Sequence, residues 1–135
     1  MKFKDLIDLI DASKADSFSF VYLYTLATLN RSSIDKARLH NRYSKEINKL
    51  LNDEGRLELR LDETSEASRE SSCLDLSWRC LRANKLLGFA NTFTIALAFL
   101  KSDRIKNTIA YKECKAKYDE LLEKHGLSTD ENPAT

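Results

Sequence analysis

The stretch that decides between a mixed fold and an all-helical fold is CLDLSWRC, at residues 73–80. In it apolar side chains occupy every second position, at Leu74, Leu76, Trp78 and Cys80. Successive side chains of a β-strand point to opposite faces, so this period of two predicts a strand. On a helix the same four side chains would be spread around most of the circumference, with no single face to bury.

A second alternating run lies upstream, RLELRLD at residues 56–62, with leucines at 57, 59 and 61. The residues between the two runs, 63–72, are Ser, Glu, Thr, Ala and Arg, which is typical of a solvated loop. Because a lone strand would leave its backbone N–H and C=O groups unpaired, the two runs together predict an antiparallel hairpin. The expected fold is therefore mainly α with one small antiparallel β-hairpin. A winged-helix-like topology is one form of it, and an all-α helical bundle is the alternative.

Length and composition favour one compact helical domain. A chain of 135 residues is long enough for a hydrophobic core, and only three glycines and one proline interrupt it. This scarcity favours long helices and argues against a glycine-rich loop that cradles phosphate. We predict a single globular domain over residues 1–126 and a mobile C-terminal tail over residues 127–135.

Five segments with helical patterns are predicted, over residues 3–10, 18–29, 34–52, 81–100 and 103–125. Gly88 either kinks the fourth segment or divides it into two helices. Asp16 or Ser17 is expected to cap the second helix, and Ser32 with Asp35 resembles a capping box at the start of the third. Gly55 is a plausible C-cap for the third segment, although a break into two helices near residues 40–41 stays open. The apolar residues 86–100 are too few and too polar for a membrane span, so they predict a buried helix.

Residues that carry chemistry are sparse. Three cysteines and two histidines lack metal-ligand spacing, and no carboxylate–histidine pair lies three residues apart. We therefore expect no enzymatic activity, no metal and no cofactor, with an enzyme built from dispersed residues as a minor alternative. Asp5, Asp8 and Asp11 interrupt the N-terminal apolar pattern that a signal peptide would need, which predicts a cytoplasmic protein with reduced thiols and no membrane partner.

Charge is distributed in blocks along the chain. Residues 31–49 hold six cations and two anions, whereas residues 53–75 hold three cations and eight anions. A second cationic block covers residues 76–118, with nine cations and two anions. Such blocks can steer a polyanion to one side of a molecule, although solvated mixed patches are the commoner outcome.

The first cationic block predicts a nucleic-acid site. Cations along one helix face give phosphate affinity, and asparagines beside them can contact base edges. The order of two helices, a basic helical region and a hairpin also resembles the winged-helix arrangement in topology. We therefore predict a DNA-binding protein, either a regulator or a replication accessory factor, although the acidic hairpin loop would repel phosphate. The predicted nucleic-acid-binding residues are Arg38, Asn41, Arg42, Lys45, Asn48 and Lys49.

The last predicted helix carries a repeat at intervals of three and four residues, a pattern compatible with packing against a partner helix. We predict a homodimer through this face, which would place two basic surfaces on successive turns of a duplex. The alternative is that the face docks on its own domain. The predicted dimer-interface residues are Tyr111, Cys114, Tyr118, Leu121 and His125.

A second function stays open. The charge blocks would equally complement a protein partner, with exposed charges governing the rate of association. The alternative to DNA binding is therefore a helical module for protein–protein interaction, such as an inhibitor, an immunity factor or an adaptor.

Overall fold

The computed structural model describes residues 1–55 and 66–127, with residues 66–70 described by their backbone alone. Over these ranges the chain forms seven α-helices and no strand. A short 3-10 turn, Ser13–Ala15, joins the first two helices. The helices are α1 (Phe3–Ala12), α2 (Ser17–Asn30), α3 (Ser33–Glu54), α4 (Glu66–Arg82), α5 (Leu86–Phe99), α6 (Asp103–Lys106) and α7 (Ile109–Lys124). The mainly α prediction is thus confirmed for the described part of the chain.

The signals that start and stop the central helices act as predicted. The Asp16 carboxylate accepts a hydrogen bond from the Phe18 N–H at 3.1 Å and caps α2. The Ser32 hydroxyl accepts one from the Asp35 N–H at 3.3 Å and caps α3. Helix α3 runs without a break to Glu54, and Gly55 follows it in the left-handed conformation, at a φ of 75°.

The hairpin prediction is wrong at its second strand, because residues 73–80 lie inside α4. The buried side chains of this segment include Cys73, Ser77 and Cys80, which are spaced as on one helix face. Ser77 makes the sequence look alternating because it is polar and stands between two apolar residues. In the structure its side chain is fully buried. Its hydroxyl donates to the Cys73 carbonyl at 2.7 Å, so burial leaves no unsatisfied donor.

Of the rest of the predicted hairpin, one part lies outside the described residues and the other part belongs to α4. The first strand, residues 56–62, and residues 63–65 of the loop lie outside the described residues. Residues 66–72 of the predicted loop belong to α4. Because one of its two strands is helical, the hairpin of the winged-helix-like topology does not form, and the fold is the all-α alternative over the described residues.

The last predicted helix is two helices, α6 and α7. Thr108 ends the first and begins the second, since its hydroxyl donates to the Ile105 carbonyl at 2.6 Å and accepts from the Tyr111 N–H at 3.2 Å. This double use of a threonine hydroxyl makes a local turn that competes with a continuous helix. Beyond α7, Leu127 packs against the core, and the rest of the predicted tail, residues 128–135, lies outside the described residues.

The core lies around α2 and α5, which pack against each other while α5 also packs against α4. The predicted buried helix is confirmed, with Phe89, Ala90 and Phe93 of α5 fully enclosed. Rings of α5 and α7 form an aromatic cluster in which Phe93 and Tyr118 meet edge to face, with centroids 5.0 Å apart. None of the described helices is long and apolar enough to cross a membrane.

One carboxylate joins the end of α3 to the start of α5. The two Glu54 oxygens accept hydrogen bonds from the Leu87 and Gly88 N–H groups, each at 2.7 Å. These are orphan donors of the first turn of α5, and a negative charge there also suits the helix dipole. The Lys85 ammonium in turn donates to the Gly55 carbonyl. The C-terminal end of α3 is therefore held in place by the core.

Candidate nucleic-acid interface

Helix α3 has one buried face and one cationic face. Leu39, Tyr43, Ile47 and Leu51 are buried and hold the helix on the core. Because a helix turns by about 100° per residue, the four predicted cations fall within an arc of about 60° on another side. All four are exposed, and we call them the α3 cationic stripe: Arg38, Arg42, Lys45 and Lys49. The structure thus brings these predicted residues together on one accessible surface.

The two predicted amide side chains lie beside this stripe. Asn41 and Asn48 are both exposed, on the flank of the helix next to Lys45. Seven residues separate them, so they stand about two turns apart on the same side of α3. A ligand that follows the cationic stripe would therefore pass both amides.

At the N-terminal half of the stripe, Arg42 is part of a polar network with α1. Its Nη2 donates to the Asp11 carboxylate at 2.9 Å and its Nε donates to the Tyr43 hydroxyl at 3.2 Å. The Tyr43 hydroxyl donates to the other Asp11 oxygen at 2.8 Å. Three side chains thus satisfy one another where α1 meets α3.

Burial, charges and hydrogen bonds in this network shift the pKa values of Asp11 and Tyr43. Burial alone would raise the pKa of Asp11, but hydrogen bonds from Tyr43 and Arg42, with the nearby cations, outweigh it and lower the pKa. Burial, reinforced by the hydrogen bond to Asp11, raises the pKa of Tyr43 to about 12. Near neutral pH the carboxylate is therefore ionised, and the phenol remains a neutral donor.

Arg38 makes a different contact with α1. Its guanidinium carbon lies 3.7 Å from the centroid of the Phe3 ring, over the ring face. Its Nη1 lies 3.6 Å from the Asp35 carboxylate, yet 57% of the side chain remains exposed. Phe3 itself is half-buried. The arginine therefore covers an aromatic ring and keeps an accessible outer surface.

The C-terminal half of the stripe is less constrained. Lys45 and Lys49 are exposed, and neither forms an ion pair with another residue in the described part of the chain. A cation without a partner attracts an anionic ligand without first breaking an internal pair. The two lysines are therefore the members of the stripe best placed to meet phosphate.

A groove of about 430 Å³ runs between α1 and α3 beside the stripe. Phe3 and Ile7 give it an apolar floor, and Lys4, Arg38 and Arg42 surround it with positive charge. Sequence reasoning missed Phe3 and Lys4, because their placement depends on how α1 packs across α3. The local sequence of α1 carries no signal that would have identified them.

The predicted dimer face of α7 is turned toward the chain's own core. Buried side chains on it are Cys114, Tyr118 and Leu121, each at most 3% exposed. The Tyr118 hydroxyl and the Thr94 hydroxyl are hydrogen-bonded at 2.7 Å, and burial raises the pKa of Tyr118 above its usual range. This is the arrangement expected if α7 docks on its own domain, which is the alternative to a dimer through this face.

The other two residues of that face also contact the chain itself. Tyr111 is half-buried against Phe93, with ring centroids 6.2 Å apart. His125 stacks on Phe18, with centroids 4.7 Å apart, and its Nδ1 lies 2.6 Å from an Asp16 oxygen. Contact with a partner through these five residues would require their release from the monomer. The predicted homodimer stays a prediction.

The described residues contain no group of three or more His, Cys, Asp or Glu side chains that could hold a metal ion. All three cysteines are buried thiols that form no disulfide bond among the described residues. Burial raises the pKa of Cys114 to about 12, so this thiol is protonated near neutral pH. The α3 cationic stripe and its groove are therefore the strongest candidate site among the described residues.

Comparisons with protein-family models, with curated proteins and with solved structures give no significant match.

Proposed function

We propose that this protein is a small non-enzymatic DNA-binding protein and that α3 carries its interface. The observation that supports this most directly is the exposure of four cations within one arc of a single helix. From Arg38 to Lys49 the stripe covers a rise of about 16 Å. The buried face of α3 and the Glu54 contact with α5 hold this surface rigidly on the core.

Phosphate contacts would supply the affinity. Each lysine or arginine that neutralises a phosphate releases condensed counterions, which favours binding at low salt. Lys45 and Lys49 would make the first of these contacts, since no described carboxylate neutralises them. Asn41 and Asn48 would meet base edges, where an amide can make paired hydrogen bonds to adenine.

The test is a fluorescence anisotropy titration of a labelled oligonucleotide at several salt concentrations. We expect the double variant Lys45→Ala, Lys49→Ala to bind more weakly at low salt. We also expect a plot of log affinity against log salt that is shallower by about 0.7–0.9 for each phosphate that the variant no longer neutralises. This variant leaves the Arg42 network and the core intact, so folding should be unaffected.

The matched control removes the same charge elsewhere. Lys106→Ala with Lys112→Ala alters two exposed cations of the second cationic block, on α6 and α7. If α3 is the interface, this variant keeps both the affinity and the salt slope of the unaltered protein. Undetectable affinity at low salt, or equal losses in the two variants, would contradict the assignment to α3.

A protein-binding module is the second candidate, and one observation favours it. Arg42 lies 2.9 Å and Arg38 lies 3.6 Å from carboxylates of the same chain, so the N-terminal half of the stripe is partly neutralised. The apolar floor of the adjacent groove would suit a partner side chain. A stoichiometric protein complex that survives nuclease treatment, together with no oligonucleotide binding, would favour this function.

A further inference from the structure

The contact between Arg38 and Phe3 forms a flat cationic platform on the surface. The guanidinium carbon lies over the ring, 3.7 Å from its centroid, which is the spacing of stacked planar groups. Phe3 is half-buried beneath, whereas the Arg38 side chain is 57% exposed above it. The outer face of the guanidinium is therefore available to another planar group.

Further cations flank this platform, beside the Asp35 and Asp11 carboxylates that pair with Arg38 and Arg42. The groove beside it has a volume of about 430 Å³ and is open to solvent. Lys4 reaches it from α1 and Arg42 from α3. Arg42 uses Nε and Nη2 in its bonds to Tyr43 and Asp11, which leaves the Nη1 donors for a ligand.

We propose that the exposed face of Arg38, at the edge of the groove between α1 and α3, binds one unpaired base of a single-stranded nucleic acid. The base stacks on the outer face of the Arg38 guanidinium, and Lys4 and Arg42 hold the flanking phosphates. Stacking on an arginine plane or an aromatic ring is a general means of holding an unpaired base. This inference rests on the proposed function and narrows it to single strands.

The geometry favours a single strand over a duplex. Arg38 and Arg42 lean toward α1, where they contact Phe3 and Asp11. Their charged ends therefore line a groove, whereas a helix that enters the major groove presents such ends on a protruding edge. A base in a duplex is covered on both faces by its neighbours and has no face to offer the platform.

The experiment compares two ten-nucleotide probes on the unaltered protein, oligothymidylate and an abasic chain with the same number of phosphates. Because stacking contributes substantially for each base, we expect about tenfold weaker binding of the abasic chain at the same salt. We also expect a ten-base-pair duplex to bind more weakly than oligothymidylate. This comparison involves no substitution, so it does not depend on the folding of a variant.

The variant Arg38→Lys then tests the platform itself. Lysine keeps the positive charge but has no planar group to stack. We expect the preference for oligothymidylate over the abasic chain to fall toward unity, with the salt slope unchanged. The matched control, Arg79→Lys, makes the same exchange at an exposed position of α4 and should preserve the preference.

The outcomes separate the two proposals. Salt-dependent binding with equal affinity for both single strands, or tighter binding of the duplex, would overturn the single-strand inference and leave DNA binding by α3 standing. Binding of none of the probes at low salt would overturn both and favour a protein partner. A preference that survives in Arg38→Lys would overturn the role of the platform.

Discussion

Two buried tyrosines show how differently the α1–α3 edge and the α5–α7 interior are built. At the edge, the Tyr43 hydroxyl lies between a carboxylate and a guanidinium, Asp11 and Arg42. In the interior, the Tyr118 hydroxyl is hydrogen-bonded to the Thr94 hydroxyl and also interacts with Tyr22, amid aromatic rings. The Thr94 hydroxyl also donates to the Ala90 carbonyl at 2.6 Å. The interior thus uses neutral groups to stabilise the fold, whereas the edge arranges charges that remain accessible to a ligand.

The largest change in the free energy of unfolding is expected from truncating a buried side chain of the interior. Phe93→Ala removes a fully buried ring that contacts Tyr118, and we expect a loss of about 3–5 kcal/mol in the free energy of unfolding. Urea denaturation followed by circular dichroism measures it. Ile109→Ala is the control, because Ile109 is 71% exposed and its truncation should change stability by less than about 0.5 kcal/mol. Similar losses in the two variants would contradict this view of the core.

The next effect concerns the link between the two regions. Glu54→Ala removes the acceptor of two N–H groups at the start of α5, and we expect a loss of about 1–3 kcal/mol in the free energy of unfolding. Asp53→Ala, at the exposed neighbouring position, should have little effect in the same denaturation experiment. Equal stability of Glu54→Ala and the unaltered protein would show that α3 is not anchored through this carboxylate.

Removing one hydroxyl from each region compares them directly. Tyr118→Phe loses a buried hydrogen bond, and we expect a cost of about 1 kcal/mol in the free energy of unfolding. Tyr43→Phe should cost less, because Asp11 and Arg42 still pair with each other and are partly solvated. Thermal and urea unfolding of the two variants decide the order. A larger loss for Tyr43→Phe would reverse the comparison.

The smallest effect is a dependence of stability on pH at the edge. The folded-state pKa of Asp11 lies below the ordinary value of 3.8, so its ionised form stabilises the fold above that pH. This contribution is lost as the pH falls from 3.8 through the lower folded value. We therefore expect the urea midpoints of the unaltered protein and Asp11→Asn to differ at about pH 6 and to approach each other as the pH falls below 3.8. A difference that stays constant over this range would contradict a stabilising role for the Asp11 charge.

Much of the fold could be predicted from short-range signals. Asp16, Ser32 and Gly55 start or stop helices because each satisfies backbone groups a few residues away. The apolar stripe of α5 also predicts its burial. The errors arise where a polar side chain bonds its own backbone, as Ser77 does inside α4 and Thr108 does at the break before α7. In the sequence Ser77 looks like a solvent-facing strand position and Thr108 like the interior of a helix, because a hydroxyl bond to the backbone does not change the hydrophobic pattern.

For the candidate site, too, some features follow from the sequence and others depend on how the helices pack. The sequence by itself determined that Arg42, Lys45 and Lys49 share one side of a helix, because helical periodicity fixes their angular positions. Arg38 joins them because α3 is unbroken in the structure. Only the tertiary structure decided which cations are paired, that Phe3 lies under Arg38, and that the repeat of α7 faces its own core. The reason is that contacts between helices depend on their packing, and residues far apart in the chain carry no local signal of which will meet.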